Sequence, residues 1–204
     1  MVNERKYSVD WFSHNIPIWN EVFTKNNIIG KDNLRFLEIG CFEGLATNYM
    51  LDNILTHETS KIDIIDTFLG SVSEAGMSGH THNDTGFKEL YNIFMSNTLD
   101  HKAKLNIHIG QSNDILRTFP NTPTFDCIYI DGSHKAFNVL EDAVLCNSLL
   151  KTKGILIFDD YEWKDSNNPE PYNSPKIAID SFIYNFAPFY GLINKGYQII
   201  VQKL

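Results

Sequence analysis

The stretch from Phe125 to Tyr161 reads FDCIYIDGSHKAFNVLEDAVLCNSLLKTKGILIFDDY, and it limits the folds open to this chain more than any other segment. Two apolar runs, CIYI and ILIF, have the length of buried strands and each stops at acid: Asp131 after the first, Asp159 and Asp160 after the second. Between them lies a helical pattern with Ala136, Val139, Ala143, Cys146 and Leu150 along one stripe. Strand, helix, strand is the unit of a parallel sheet, whose neighbouring strands bring their carboxyl ends to one crevice. Three carboxylates are therefore expected to converge there, and oxygen-rich clusters suit a hard divalent cation such as Mg²⁺. A single strand-end Asp more often caps a helix or turns the chain. Two adjacent acids are harder to explain that way, because like charges so close repel unless a cation or hydrogen bonds compensate.

The same alternation continues along the chain. RFLEIG, KIDIID and LNIHIG read as further strands, followed by the helical patterns LATNYMLDNIL, a stripe of Phe87, Leu90, Tyr91, Phe94 and Met95, and SNDIL, respectively. Pro17 is well placed to open an N-terminal helix carrying Trp19, Val22 and Phe23. KIAIDSFIYNF predicts a last helix, and FYGLINKGYQIIVQKL a closing hairpin around Asn194–Gly196. The pattern predicts an α/β three-layer sandwich in one domain, with residues 1–33 as a helical cap and 34–204 as the core. A net charge of -8 and the lack of a Lys/Arg cluster disfavour passive binding to nucleic acid or to an anionic membrane. Cys41, Cys127 and Cys146 read as reduced core residues, and no apolar run reaches the ~20 residues of a membrane span, so a cytoplasmic protein is expected.

The segment FLEIGCFEG places a strand before Gly40 and Gly44, where backbone can approach a ligand and the next helix begins. Asp66, closing KIDIID, is an acid that could accept hydrogen bonds from both hydroxyls of a ribose. A nicotinamide-dependent oxidoreductase shares this logic, but its fingerprint spaces glycines as G-x-G-x-x-G. Glu38 and Glu43 flank and enter the turn here, and two carboxylates would repel a pyrophosphate while tolerating a cationic sulfonium ligand.

These residues resemble class I S-adenosylmethionine-dependent methyltransferases: LEIGCFEG is similar to the first motif, IDIIDTF to the second, and IGQSNDIL to the segment beside the adenine. More narrowly, YIDGSH followed at distance by LLKTKGILIFDDY resembles the metal-assisted O-methyltransferases of the macrolide-sugar and catechol types and their uncharacterised bacterial relatives, a group the opening DWFSHNIPIW is also similar to. The resemblance implies a mostly parallel, seven-stranded Rossmann-like sheet with a C-terminal antiparallel hairpin. It implies S-adenosyl-L-methionine and Mg²⁺ or a similar ion as cofactors, with Asp131, Asp159 and Asp160 as metal ligands. Glu38, Gly40 and Gly44 would line the methionine end of the donor, Asp66 the ribose and Ser112 the adenine; Asp131 counts among both donor-binding and catalytic residues. His134 matches the histidine proposed as general base, and the reaction would be methyl transfer to a hydroxyl of a sugar or other small molecule. Catechol-type enzymes often carry Asn where this chain has Asp160, which points mildly away from catechols. A metal-independent methyltransferase, and a donor-binding scaffold without activity, are the alternatives.

His80 and His82 lie in the polar loop 67–86, read as a lid or substrate-contacting segment; their spacing fits some metal sites, but a solvated loop is the commoner reason for it. His57, His101 and His108 read as surface or structural residues. Trp11, Phe12 and Trp19 are expected to pack the N-terminal helix in preference to walling a substrate, and this aromatic segment is also the one hint of a homo-oligomer contact. Trp163, just after the acidic pair, is the better candidate for stacking on a substrate.

Overall fold

The computed structural model describes residues 4–70 and 84–204. His80 and His82, and most of the loop read as a lid, lie outside the described residues. Strands β1 (Arg35–Ile39), β2 (Lys61–Asp66), β3 (Leu105–Ile109), β4 (Phe125–Ile130), β5 (Leu150–Phe158), β6 (Tyr190–Lys195) and β7 (Ile199–Lys203) form one sheet in the order β3-β2-β1-β4-β5-β7-β6. Every recorded pairing among β1 to β5 is parallel, whereas β7 runs antiparallel to both β5 and β6. Helices flank this sheet: α1 (Ile16–Lys25), α2 (Leu45–Asn53), α3 (Asp84–Asn97), α4 (Ser112–Leu116), α5 (Ala136–Leu149) and α6 (Lys176–Phe186). This is the expected Rossmann-like architecture. No helix among the described residues is long and apolar enough to cross a membrane.

The chain divides into two compact units. One joins Met1–Leu34 to Cys41–Ile109, so the N-terminal segment groups with β2, β3 and the helices between them. Phe12 and Trp19 are buried there and meet edge to face at 4.9 Å, which is the packing role expected of them. The chain before α1 is strapped down by polar contacts. Asn97 accepts from the Lys6 backbone N–H at 2.8 Å and donates to both the Lys6 and Glu43 carbonyls.

The other unit joins Arg35–Gly40 to Gly110–Leu204 and holds β1, β4, β5, β7 and β6. Its central strands are buried on both faces, which explains why CIYI and ILIF are continuous apolar runs without alternation. Registration sets the level of the acids. Ile39 pairs with Ile130 and Ile130 with Phe158, so Gly40, Asp131 and Asp159 leave their strands at one edge. The sequence expectation differs at one junction, since Leu150 belongs to the strand and not to the stripe of α5. Lys153 adopts φ +65 and the pairing jumps from Phe125–Leu150 to Cys127–Ile155, an irregularity that begins the strand before the apolar run. The hairpin turn falls at Gly196–Gln198, closed by Gly196 N–H donating to the Gln198 carbonyl.

Candidate active site

In the second unit, the end of β4 presents Asp131 and the end of β5 presents Asp159 and Asp160, as the strand pattern predicted. Their partners were not predicted. The hydroxyl of Tyr129, a residue of β4 that is 1% exposed, lies 2.9 Å from Asp131 Oδ2 and closer still to Asp159 Oδ2. A phenol carries one hydrogen, so it can donate to only one of these carboxylates at a time. Asp159 is buried and also accepts from the Gln198 side-chain amide at 2.9 Å and the Asp160 backbone N–H at 2.7 Å. Asp160 takes φ +57, a left-handed conformation that Asp and Asn tolerate better than other side chains. Its Oδ1 accepts from the Tyr197 hydroxyl at 2.9 Å and its Oδ2 lies 2.7 Å from His134 Nε2. The hairpin turn thus delivers Tyr197 and Gln198 to the acids.

Charge is concentrated here. Burial among protein atoms, then the negative charges of Asp159 and Asp160, hold the Asp131 carboxyl well above the usual carboxylate range. Asp131 is nevertheless an exposed residue. Burial followed by the charge of Asp160 raises Asp159 as well. Glu38, 1% exposed and level with Tyr129 in the sheet, adds its charge to the same group.

Among the described residues, no three His, Cys, Asp or Glu side chains are set as a metal-holding group. As arranged, the oxygens of Asp159 and Asp160 are engaged by protein donors. The chemistry of the donor set nonetheless fits a hard cation: clustered carboxylates, two of them raised by burial and then by neighbouring negative charge, with Asp131 open to solvent.

His134 is oriented from two sides. Besides the Asp160 contact, its ring stacks on Trp163 with centroids 4.0 Å apart. Trp163, expected as a substrate platform, therefore spends a face on the histidine. Three other histidines stand in structural pairs: His101 with Asp52, His108 with Asp63 and His57 with Thr59.

The glycine turn has its own logic. A Cβ on Gly40 would lie 2.2 Å from the Asp131 carbonyl oxygen and 2.6 Å from Gly132 Cα, so glycine is required by the close pass of two backbones. In the first unit, Gly44 has φ +83 and a Cβ there would meet the Phe94 ring at 3.0 Å. Asp66 Oδ2 accepts from the backbone N–H groups of Cys41 at 2.7 Å and Phe42 at 3.2 Å, and Oδ1 accepts from Phe68 N–H at 2.7 Å. Asp66 is thus the post that fixes the turn. Glu43 corrects the electrostatic argument made from sequence. It is buried, accepts from the Ser8 backbone N–H at 2.6 Å, and serves the strap. Ser112, in the second unit, gives its hydroxyl to Asp142 Oδ2 at 2.9 Å.

A family model described as a methyltransferase domain matches residues 37–161. Among curated proteins, the chain is 29% identical over 166 residues to uncharacterized protein R132 of Acanthamoeba polyphaga mimivirus, covering 80% of this chain and 67% of that one. Among solved structures, it is similar to an O-methyltransferase from Bacillus cereus in complex with SAH, at TM-score 0.66 and 15% identity over 96% of this chain and 83% of that one. It is also similar to MycE methyltransferase from the mycinamycin biosynthetic pathway in complex with Mg, SAH and mycinamycin VI, at TM-score 0.58 and 15% identity over 96% of this chain and 51% of that one. At such identities the solved structures establish a shared fold, and the family match, which takes in more than half of the residues, carries the assignment. The chain belongs to the methyltransferase domain family and is a class I S-adenosylmethionine-dependent methyltransferase.

Proposed function

We propose that this protein is an O-methyltransferase that transfers the donor's methyl group to a hydroxyl of a sugar or other small molecule, assisted by Mg²⁺ or a similar ion. The observation that carries this reading is His134 Nε2 at 2.7 Å from Asp160, in the cluster of Asp131, Asp159 and Asp160. With Asp160 ionised, Nε2 carries the hydrogen and the lone pair of the neutral ring lies on Nδ1. His134 is then a general base that Asp160 positions and Trp163 braces, able to take the acceptor hydroxyl's proton. Asp131, Asp159 and Asp160 would hold the cation, which when bound makes a nearby hydroxyl more acidic and fixes its place. Glu38, Gly40, Gly44, Asp66, Ser112 and Asp131 keep the donor-binding roles that the family resemblance implies. The methyl group then moves in line from the sulfonium to the acceptor oxygen, and the protein's chief contribution is alignment.

One observation favours a metal-independent variant of the same reaction: Asp159 and Asp160 are already satisfied by Tyr129, Gln198, Tyr197 and His134. Turnover separates the two. Release of S-adenosylhomocysteine from S-adenosylmethionine, measured against a panel of hydroxylated acceptors with Mg²⁺ or with EDTA, is expected to require the metal. It is expected to fall at least ~100-fold in His134→Ala, the usual worth of a general base. Full turnover in EDTA would select the metal-independent reading, and full turnover of His134→Ala with donor bound would remove His134 from the chemistry.

A further inference from the structure

Asp142 is a buried acid that the proposed reaction does not use. It sits on α5, is 1% exposed, and accepts from the Ser112 hydroxyl through Oδ2 at 2.9 Å. Its other oxygen, Oδ1, is also buried and has no hydrogen-bond partner among the described residues. A core carboxyl with one orphaned oxygen costs stability. Its hydrogen-bond partner is Ser112, a half-buried residue at the start of α4.

We propose that Asp142 is a positioning residue of the donor site, setting which way the Ser112 hydroxyl turns and thereby how strongly Ser112 holds the nucleoside end of the donor. This rests on the reading that Ser112 contacts that end. A serine hydroxyl has one hydrogen and two lone pairs. When Asp142 is ionised, Ser112 gives that hydrogen to Oδ2 and presents lone pairs outward, made better acceptors by the carboxylate behind them. Such an oxygen suits an adenine amino group. When Asp142 carries a proton, it donates to Ser112 and the serine hydrogen is turned outward, towards a group that itself brings hydrogens.

The balance between the two states falls within the physiological range. Burial, against the Ser112 hydrogen bond and together with the charge of Glu141, pushes the Asp142 carboxyl up to about 7. Glu141 on the same helix is paired with Arg117 from the end of α4, and the Cys146 thiol, one turn along α5, is itself raised by burial and then by Asp142.

Calorimetric titration with S-adenosylhomocysteine at pH 6, 7 and 8, without added metal, tests this in the wild type, Asp142→Asn and Ser112→Ala. Asparagine offers Ser112 a carbonyl at every pH and cannot titrate. The wild type is expected to bind about threefold more tightly at pH 8 than at pH 6, the scale of one strengthened hydrogen bond. Both variants are expected to lose that slope, and Asp142→Asn to keep the tighter affinity at pH 6. The same slope in Ser112→Ala as in the wild type, or no slope in the wild type, would overturn the proposal while leaving the donor reading intact. No binding at any pH would overturn both. Ser112→Ala changes a half-buried side chain and keeps the test decisive if Asp142→Asn does not fold.

Discussion

Replacing Tyr129 by phenylalanine removes one oxygen from the acid cluster and leaves the ring in place, so no cavity confuses the result. The hydroxyl lies between Asp131 Oδ2 and Asp159 Oδ2 and is buried with the rest of the side chain. It makes one charge-assisted hydrogen bond at a time, worth ~1.5–3 kcal/mol. Without it, the two carboxylates face each other with nothing between them. Both hold their protons above the ordinary range already, through burial and like charge. In the unfolded chain they ionise near ~3.9. Stability from these groups is therefore full below ~4 and is lost as pH rises through their folded values. The variant sharpens that trend. Urea unfolding is expected to show Tyr129→Phe less stable by ~2 kcal/mol at pH 8 and by ~1 kcal/mol less than that at pH 5, because the raised carboxyls are more often protonated at the lower pH and then lose only a neutral hydrogen bond. Millimolar Mg²⁺ is expected to restore more at pH 8 than at pH 5. An equal loss at both pH values would refute the view that ionisation of these carboxyls sets the cost of losing the hydroxyl.

Further expectations concern the turn, the strap and α5. Gly40→Ala combines φ +83 with a Cβ 2.2 Å from the Asp131 carbonyl oxygen, and should cost ~2–5 kcal/mol in urea unfolding. Gly70→Ala, at φ +70 with no atom of the described residues within 4 Å of the added Cβ, should cost only ~1–2 kcal/mol, which isolates the clash. Asp142→Asn should gain on the wild type by ~1.4 kcal/mol per pH unit between ~4 and about 7, levelling near ~4 kcal/mol, because only the wild type must keep a proton that its unfolded chain releases; chemical unfolding across that range reads it directly. Asn97→Ala removes the bonds to Lys6 and Glu43 and should lower stability by ~2–3 kcal/mol, with freer proteolysis of the first ten residues as its signature.

The strand ends were legible because an apolar run closed by acid has few other uses, and Asp131, Asp159 and Asp160 stand where that pattern put them. Tyr129 was hidden because a tyrosine inside CIYI reads as packing; only the register, which sets its hydroxyl beside two carboxylates, reveals it. Tyr197 and Gln198 were missed for a related reason. They belong to a hairpin turn distant in sequence, and the antiparallel pairing of β7 with β5 is what carries them to Asp159 and Asp160. Glu43 shows the opposite error. Its place in the turn was legible but its direction was not, and it faces the N-terminal strap. The start of β5 was misjudged because Lys153 takes a left-handed conformation that no local pattern signals.

The proposed reaction requires this methyltransferase to bind both its donor and a divalent cation. Its most direct test is calorimetric titration of the EDTA-treated protein with S-adenosylhomocysteine, repeated with Mg²⁺ and in Asp159→Ala. The account predicts donor-product binding in all cases and a separate Mg²⁺ heat that Asp159→Ala abolishes; a protein that binds neither ligand would contradict it.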